Sequence, residues 1–238
     1  MGGEDYERAT QLYEGCVELS REMRDDWAIA FSLFSLALVS HRRGDPERTA
    51  ELYEESMSLF RELGDKHGLA YGLNNLGLMA LSQGDLVRAE KLTEESVALL
   101  RELGSRGDAE GLCNLGWMAL LRDDLGKAAD LYEETLTVAW DIERNPVVLS
   151  ALEGFACLAG ARGESARAAR LWGASQTLRE GKGVPWDADF LAEAEARISV
   201  VRSGMGEEAW EEASEEGRAM TLEDAISYAL EGEEGAGG

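Results

Sequence analysis

The chain has 238 residues, of which 45% are hydrophobic and only 3 are proline, so neither global disorder nor a proline-rich extended chain is expected. It carries 47 Asp+Glu against 23 Lys+Arg, a net charge of −24. So acidic a body repels phosphate backbones and anionic headgroups, which argues against nucleic-acid and membrane-surface roles. No run of about 18 apolar residues occurs, and Met1-Gly2-Gly3-Glu4-Asp5 has neither a basic nor an apolar leader pattern. Cys16, Cys113 and Cys157 are odd in number, far apart and outside any CxxC pattern, so a disulfide framework or zinc site is not expected and a reducing cytoplasm fits.

In chain order, Glu4-Asp5-Tyr6-Glu7-Arg8 followed by Leu12-Tyr13-Glu14 reads as a helix over about residues 5–22. An apolar helix containing Leu33, Leu36 and Ala37 comes next. Gly44-Asp45-Pro46-Glu47-Arg48 then opens a more polar helix through Leu52-Tyr53-Glu54-Glu55-Ser56, ending at Arg61-Glu62-Leu63-Gly64. An apolar helix, Leu69 to Ser82, follows. Gly84-Asp85-Leu86-Val87-Arg88 opens the polar type again, through Thr93-Glu94-Glu95-Ser96 to Arg101-Glu102-Leu103-Gly104. Asp123-Asp124-Leu125-Gly126-Lys127 and Gly163-Glu164-Ser165-Ala166-Arg167 open two more, with Leu131-Tyr132 and Leu171-Trp172 in the places of Leu52-Tyr53. Successive openings lie 40, 39 and 40 residues apart, which is the signature of a repeat array.

The openings have a physical logic. A carboxylate at Asp45, Asp85 or Asp124 can accept the free N–H groups of a first helical turn. Pro46 at the first helical position forfeits no hydrogen bond. Gly64 and Gly104 suit a left-handed C-cap. The first helix of each unit is apolar nearly all round and must be covered on most sides, which stacking against its own partner and the next repeat provides.

This pattern resembles the tetratricopeptide repeat. In that family a small residue in the first helix lets its partner approach closely, and Ala37, Gly77, Gly116 and Ala156 stand there. Each follows a large residue, Leu36, Leu76, Leu115 or Phe155, with Leu33, Leu73, Leu112 or Leu152 three positions before that. In the second helix the small position is Ala9, Thr49, Ala89, Ala128 or Ala168, and the bulky one is Tyr13, Tyr53, Thr93, Tyr132 or Trp172. Small residues follow at Cys16, Ser56, Ser96, Thr135 and Ser175. The resemblance covers about residues 4–180. It implies an all-α, right-handed helical-hairpin solenoid of about four and a half repeats over residues 1–180, with units longer than the usual 34 residues. Residues 181–238 would be C-terminal capping helices and an acidic, Gly-rich tail.

The long-period form with Gly-Asp-x-x-Arg-Ala and Glu-Glu-Ser is also similar to the arrays of bacterial signal-transducing ATPase regulators, many of which end in a LuxR-type helix-turn-helix. Residues Glu216 to Leu230 resemble the segment that closes those arrays. No GxxxxGK[ST] occurs, since Gly126-Lys127 and Gly181-Lys182 lack the upstream Gly and the following Ser/Thr, and nothing basic follows Leu230. ATPase and DNA-binding activities therefore do not carry over, and a partner-sensing role remains.

Residues 181–187 form a break, beyond which helices are expected over about 187–203, 206–217 and 221–231. Thr221 with Asp224 reads as a capping box. The acidic stretch from Gly204 reads as a solvated cap.

Nothing points to catalysis, a metal or a cofactor. His41 and His67 lie in different repeats. His67 reads as a loop residue, and His41 beside Arg42 and Arg43 complements a helix C-terminus. No HExxH, Cys/His cluster or Gly-x-Ser-x-Gly occurs. The resemblance instead places a partner-binding groove on the first helices. Its positions are Phe31, Phe34, Leu38 and His41; Tyr71, Asn74, Leu78 and Leu81; Glu110, Cys113, Trp117 and Leu120; and Glu153 and Cys157. Such an aromatic trough suits an apolar helix or extended segment of a protein partner, or alternatively a small molecule. In the competing reading the array curls tightly, or residues 187–231 fold back, so that these side chains are core. Helix 5–22, a second-type helix without its own first-type partner, is expected to present an open apolar flank. That flank implies either a longer polypeptide or a homodimer through this edge.

Overall fold

The aspartates at the repeat openings set the helix starts. In the computed structural model, which describes residues 3–141, 145–183 and 188–231, Asp45, Asp85 and Asp124 each accept the backbone N–H three residues on, from Arg48, Arg88 and Lys127, at 3.1 Å. Asp25 and Asp65 do the same for Ala28 and Gly68 at 3.0 Å, so the apolar helices are capped as well. Pro46 sits in the first turn of its helix. Thr221 and Asp224 form the capping box.

Among the described residues there are twelve α-helices and no strand. They are α1 (Gly3–Met23), α2 (Asp26–Arg42), α3 (Pro46–Glu62), α4 (Lys66–Ser82), α5 (Leu86–Glu102), α6 (Ala109–Leu121), α7 (Leu125–Asp141), α8 (Asn145–Ala161), α9 (Ser165–Lys182), α10 (Ala188–Met205), α11 (Glu207–Arg218) and α12 (Leu222–Leu230), with a 3-10 turn at Arg106–Asp108 before α6. Helix α4 begins three residues before Leu69 because Asp65 caps it, so His67 lies in its first turn rather than in a loop. Gly181 and Lys182 continue α9, and Gly183 closes it in the left-handed conformation (φ +63°). The rest of the expected break, residues 184–187, and the tail from residue 232 lie outside the described residues.

The chain forms two compact units, Met1–Ser105 and Arg106–Gly238. In the N-terminal unit α2 packs on α3 and α4 on α5, with α1 against α2. Its core gathers Val17, Ile29, Leu33, Phe34, Leu36, Ala37, Leu52, Tyr53 and Met79. Two hydroxyls tie these hairpins together: Ser56 Oγ donates to the Ala30 carbonyl at 2.8 Å, and Ser96 Oγ to the Ala70 carbonyl at 2.6 Å. Both serines are buried, so each satisfies a polar group while locking a second helix to a first one.

In the C-terminal unit α6 packs on α7 and α8 on α9. The small-against-bulky rule is visible at Tyr132, whose fully buried ring lies against Gly116 and Gly154. A methyl group on Gly116 would come within 2.8 Å of that ring. Where the periodicity calls for glycine before Asp124 the chain has Asp123, which adopts the same left-handed conformation (φ 61°).

The end of the repeat series is irregular. Helix α9 is followed by α10, which packs on α8 and α9, but the closest approach to α9 is made by α11. Gly173 of α9 lies on the Ser214 backbone, and Gly217 of α11 lies on the Arg170 backbone, so close that no side chain could stand at either glycine without displacing main chain. Arg170 pairs with Glu216 at 2.5 Å across this seam, and Arg167 donates to the carbonyls of Tyr228, Ala229 and Glu231 at the end of α12.

Candidate functional site

The first-type helices present equivalent positions in both units, and the two faces differ. In the N-terminal unit the face belongs to α2 and α4. Trp27 and Phe31, one helical turn apart, stack with ring centroids 5.5 Å apart and planes inclined by 7°. Trp27 Nε1 donates to Asp65 Oδ2 at 2.9 Å, so the residue that caps α4 also orients the indole. Phe34 lies between Tyr53 (5.6 Å) and Tyr71 (5.1 Å). Trp27, Phe31 and Tyr71 remain 51%, 46% and 50% exposed. Leu38, His41, Leu78 and Leu81 are half-buried, whereas Phe34 and Asn74 are interior. Burial raises the Tyr53 hydroxyl well above the ordinary tyrosine value, with the neighbouring Tyr71 adding to it, so Tyr53 is a neutral core group.

Sequence reasoning placed Phe31 and Tyr71 on this face and missed Trp27. The i, i+4 spacing of Trp27 and Phe31 was the available signal. Its partner Asp65 is 38 residues away, beyond the reach of any local pattern.

In the C-terminal unit the corresponding face belongs to α6 and α8, and α10 lies on it. The Phe190 ring sits 4.5 Å from that of Trp117, and the Arg197 guanidinium stands 5.7 Å from the same indole. Cys157 Sγ is 4.0 Å from the Ala194 carbonyl, and Val201 covers Gly160. Trp117 is buried beneath α10, and Cys113 and Leu120 are buried too (6%, 6% and 2% exposed), so none of the three is a surface residue. The reading in which the C-terminal helices fold back describes Trp117 and Cys157, against which Phe190, Ala194 and Arg197 of α10 lie. Deeper in, Arg179 of α9 donates to both carboxylate oxygens of Glu153 on α8 at 2.8 and 2.9 Å, both residues buried.

The titratable groups here have structural explanations. Burial raises Glu153 to about 7, partly offset by the hydrogen bonds and charge of Arg179. Burial also pushes the Cys157 thiol up to about 12 and Cys113 higher still, which favours the protonated thiol over the reactive thiolate. Among the described residues no group of three or more His, Cys, Asp or Glu side chains could hold a metal ion, and no helix is long and apolar enough to cross a membrane.

Comparison with known proteins agrees with this geometry. The tetratricopeptide repeat family matches residues 28–102 and 68–139. None of the curated proteins matches the chain. Among solved structures, BtubC (BKLC) from P. vanneervenii superposes with a TM-score of 0.70 at 18% identity, covering 93% of this chain and 92% of that one. A Podosopora anserina protein described as a kinesin light chain with nearly identical TPR-like repeats superposes with a TM-score of 0.54 at 16% identity, over 76% of this chain and 90% of that one. A point variant of it gives 0.55 at 15% identity, over 76% and 89%. At these identities the likeness is one of fold. The match to the family model lies within residues 28–139, and the chain has an all-α, TPR-like helical-hairpin repeat fold.

Proposed function

We propose that this chain is a non-enzymatic protein-binding scaffold whose docking surface is the aromatic face of α2 and α4. The observation that supports this is the exposure of three large aromatic side chains, Trp27, Phe31 and Tyr71, held together on the first helices of the N-terminal unit. Aromatic residues held in fixed orientation bury much area at small entropic cost, which is why they dominate binding energy at interface centres. The stacked indole and the Trp27–Asp65 hydrogen bond supply that fixed orientation. The sequence resemblance to regulator arrays gives the role a setting: partner sensing inside a bacterial regulatory system, in the cytoplasm.

The test is site-specific photo-cross-linking with benzoyl-phenylalanine in the full chain. Placed at Phe31, it should trap a protein partner in cells. Placed at Val87, which is also exposed but at the start of a second-type helix, it should not. Phe31→Ser with Tyr71→Ser should abolish capture by a tagged chain. Equal trapping at 31 and 87, or capture indifferent to the double substitution, rejects the reading.

A further inference from the structure

Helix α1 turns an apolar stripe to water. Leu12, Cys16, Leu19 and Met23 recur every three or four residues and so share one side of the helix. Leu12, Leu19 and Met23 are 63%, 57% and 69% exposed, and Cys16 is exposed as well. Stepping forward 40 residues, Leu12 and Cys16 correspond to Leu52 and Ser56 of α3, both buried. The stripe on α1 therefore has the residue types of an interior surface and lies open.

Gly15 stands beside this stripe at the middle of α1. A glycine there weakens the helix relative to alanine, and a side chain at Gly15 would meet nothing in this chain. The next three second-type helices carry the exposed Glu55, Glu95 and Glu134 in its place. Arg21 of α1 reaches Glu55 at 2.8 Å, and α1 itself offers no carboxylate at that position for the same contact from another second-type helix. Helix α9 supplies the precedent. It has Gly173 and Ala174 where α3 has Glu54 and Glu55, and there α11 lies main chain on main chain. A helix crossing close over Gly15 accounts for this glycine in the same way.

We infer that the crossing helix is α1 of a second copy of this chain, antiparallel about a two-fold axis near Gly15 and Cys16. The order of residues favours a copy. Read from either end, the stripe runs charged residue, leucine, small pair, leucine, charged residue: Arg8, Leu12, Gly15 with Cys16, Leu19, Glu22. In an antiparallel pair Leu12 meets Leu19 of the second copy, and Arg8 meets Glu22, each contact occurring twice by symmetry. The glycines let the backbones approach at the axis. A parallel pair would instead set Arg8 against Arg8 and Glu22 against Glu22, so charge selects the antiparallel arrangement. The contact is one helix wide, which places it among small, reversible interfaces. It does not depend on the docking surface of α2 and α4.

The test is sedimentation equilibrium of the full chain from about 10 μM to about 1 mM, the range of weak association. A monomer–dimer equilibrium is expected. Gly15→Glu restores the residue of the other repeats and is a better helix former, so it should leave the chain monomeric with circular dichroism undiminished. Arg8→Glu should weaken the dimer severalfold, and Arg8→Glu combined with Glu22→Arg should restore it. Positions 8 and 22 lie about 21 Å apart along one helix, so that rescue can come only from contact between copies. A short bis-maleimide should bridge the two Cys16 thiols in the dimer and lose that product in Gly15→Glu, Cys113 and Cys157 being buried. A chain that stays monomeric at the highest concentration overturns the inference. So does a dimer that survives both Gly15→Glu and Leu19→Ser, or one that Tyr71→Ala dissolves, since the copies then meet on another face. Loss of the dimer in Arg8→Glu without rescue by Glu22→Arg overturns the antiparallel pairing.

Discussion

The two units use the same repeat grammar and treat the same face in opposite ways. On the C-terminal unit, α10 buries Trp117 and Cys157 beneath Phe190, Ala194 and Ile198. On the N-terminal unit the matching Leu38 and Leu78 are half-buried, and Trp27, Phe31 and Tyr71, nearer the starts of the same helices, stay exposed. The repeat pattern fixes how helices pair, while the residues at the face positions are free of that duty and can serve as core or as surface. An aromatic residue at such a position is therefore not evidence of a binding site until its cover is known.

That contrast can be broken most severely at the ion pair beneath the covered face. Glu153→Leu leaves Arg179 as a buried charge without its carboxylate and should cost about 3–5 kcal/mol in denaturant unfolding, whereas the double change with Arg179→Met should recover most of it. The same carboxyl gives the covered unit a pH signature. Its folded value of about 7 lies above the ordinary 4.5, so the folded chain keeps a proton that the unfolded chain releases. The stability this confers is present below pH 4.5 and lost as pH rises through about 7, and Glu153→Gln should flatten that slope. Next in size is the cover itself. Phe190→Ala should cost about 2 kcal/mol, since Phe190 is half-buried. It should also speed labelling of Cys157 by a thiol reagent; in the unaltered chain, exposed Cys16 should label first. If Cys157 labels as fast as Cys16 without the substitution, α10 does not protect this face and the contrast collapses. The smallest effect belongs to the open face: Tyr71→Ala should change stability by less than about 1 kcal/mol while weakening partner binding.

Much of the fold was legible because the deciding interactions are local. Asp45, Asp85 and Asp124 cap by reaching three residues ahead, and Thr221 with Asp224 close a box over the same distance. The close contact of Gly116 with Tyr132 follows from the small and bulky positions of the repeat. Asp65 was overlooked as a cap, which shortened α4 and put His67 in a loop. The face itself was half legible. Periodicity shows which side chains share it, but an apolar stripe on α10 does not name the surface that will receive it. The Glu153–Arg179 pair, 26 residues apart on neighbouring helices, left no local mark. The Ser56 and Ser96 hydroxyls were read only as small residues, yet they also bond across each hairpin.

The seam between α9 and α11 bears on how this chain could be lengthened. Repeat proteins grow by duplication, and the 40-residue period would make that simple wherever a second-type helix meets an ordinary first-type one. At α9 the meeting is main chain on main chain, through Gly173 and Gly217. The earlier second helices carry the exposed Glu54, Glu94 and Glu133 at the place of Gly173, so this glycine lets α11 occupy a side that they turn to solvent. A duplicated unit with glutamate in the place of Gly173 could not keep α11 seated on this seam.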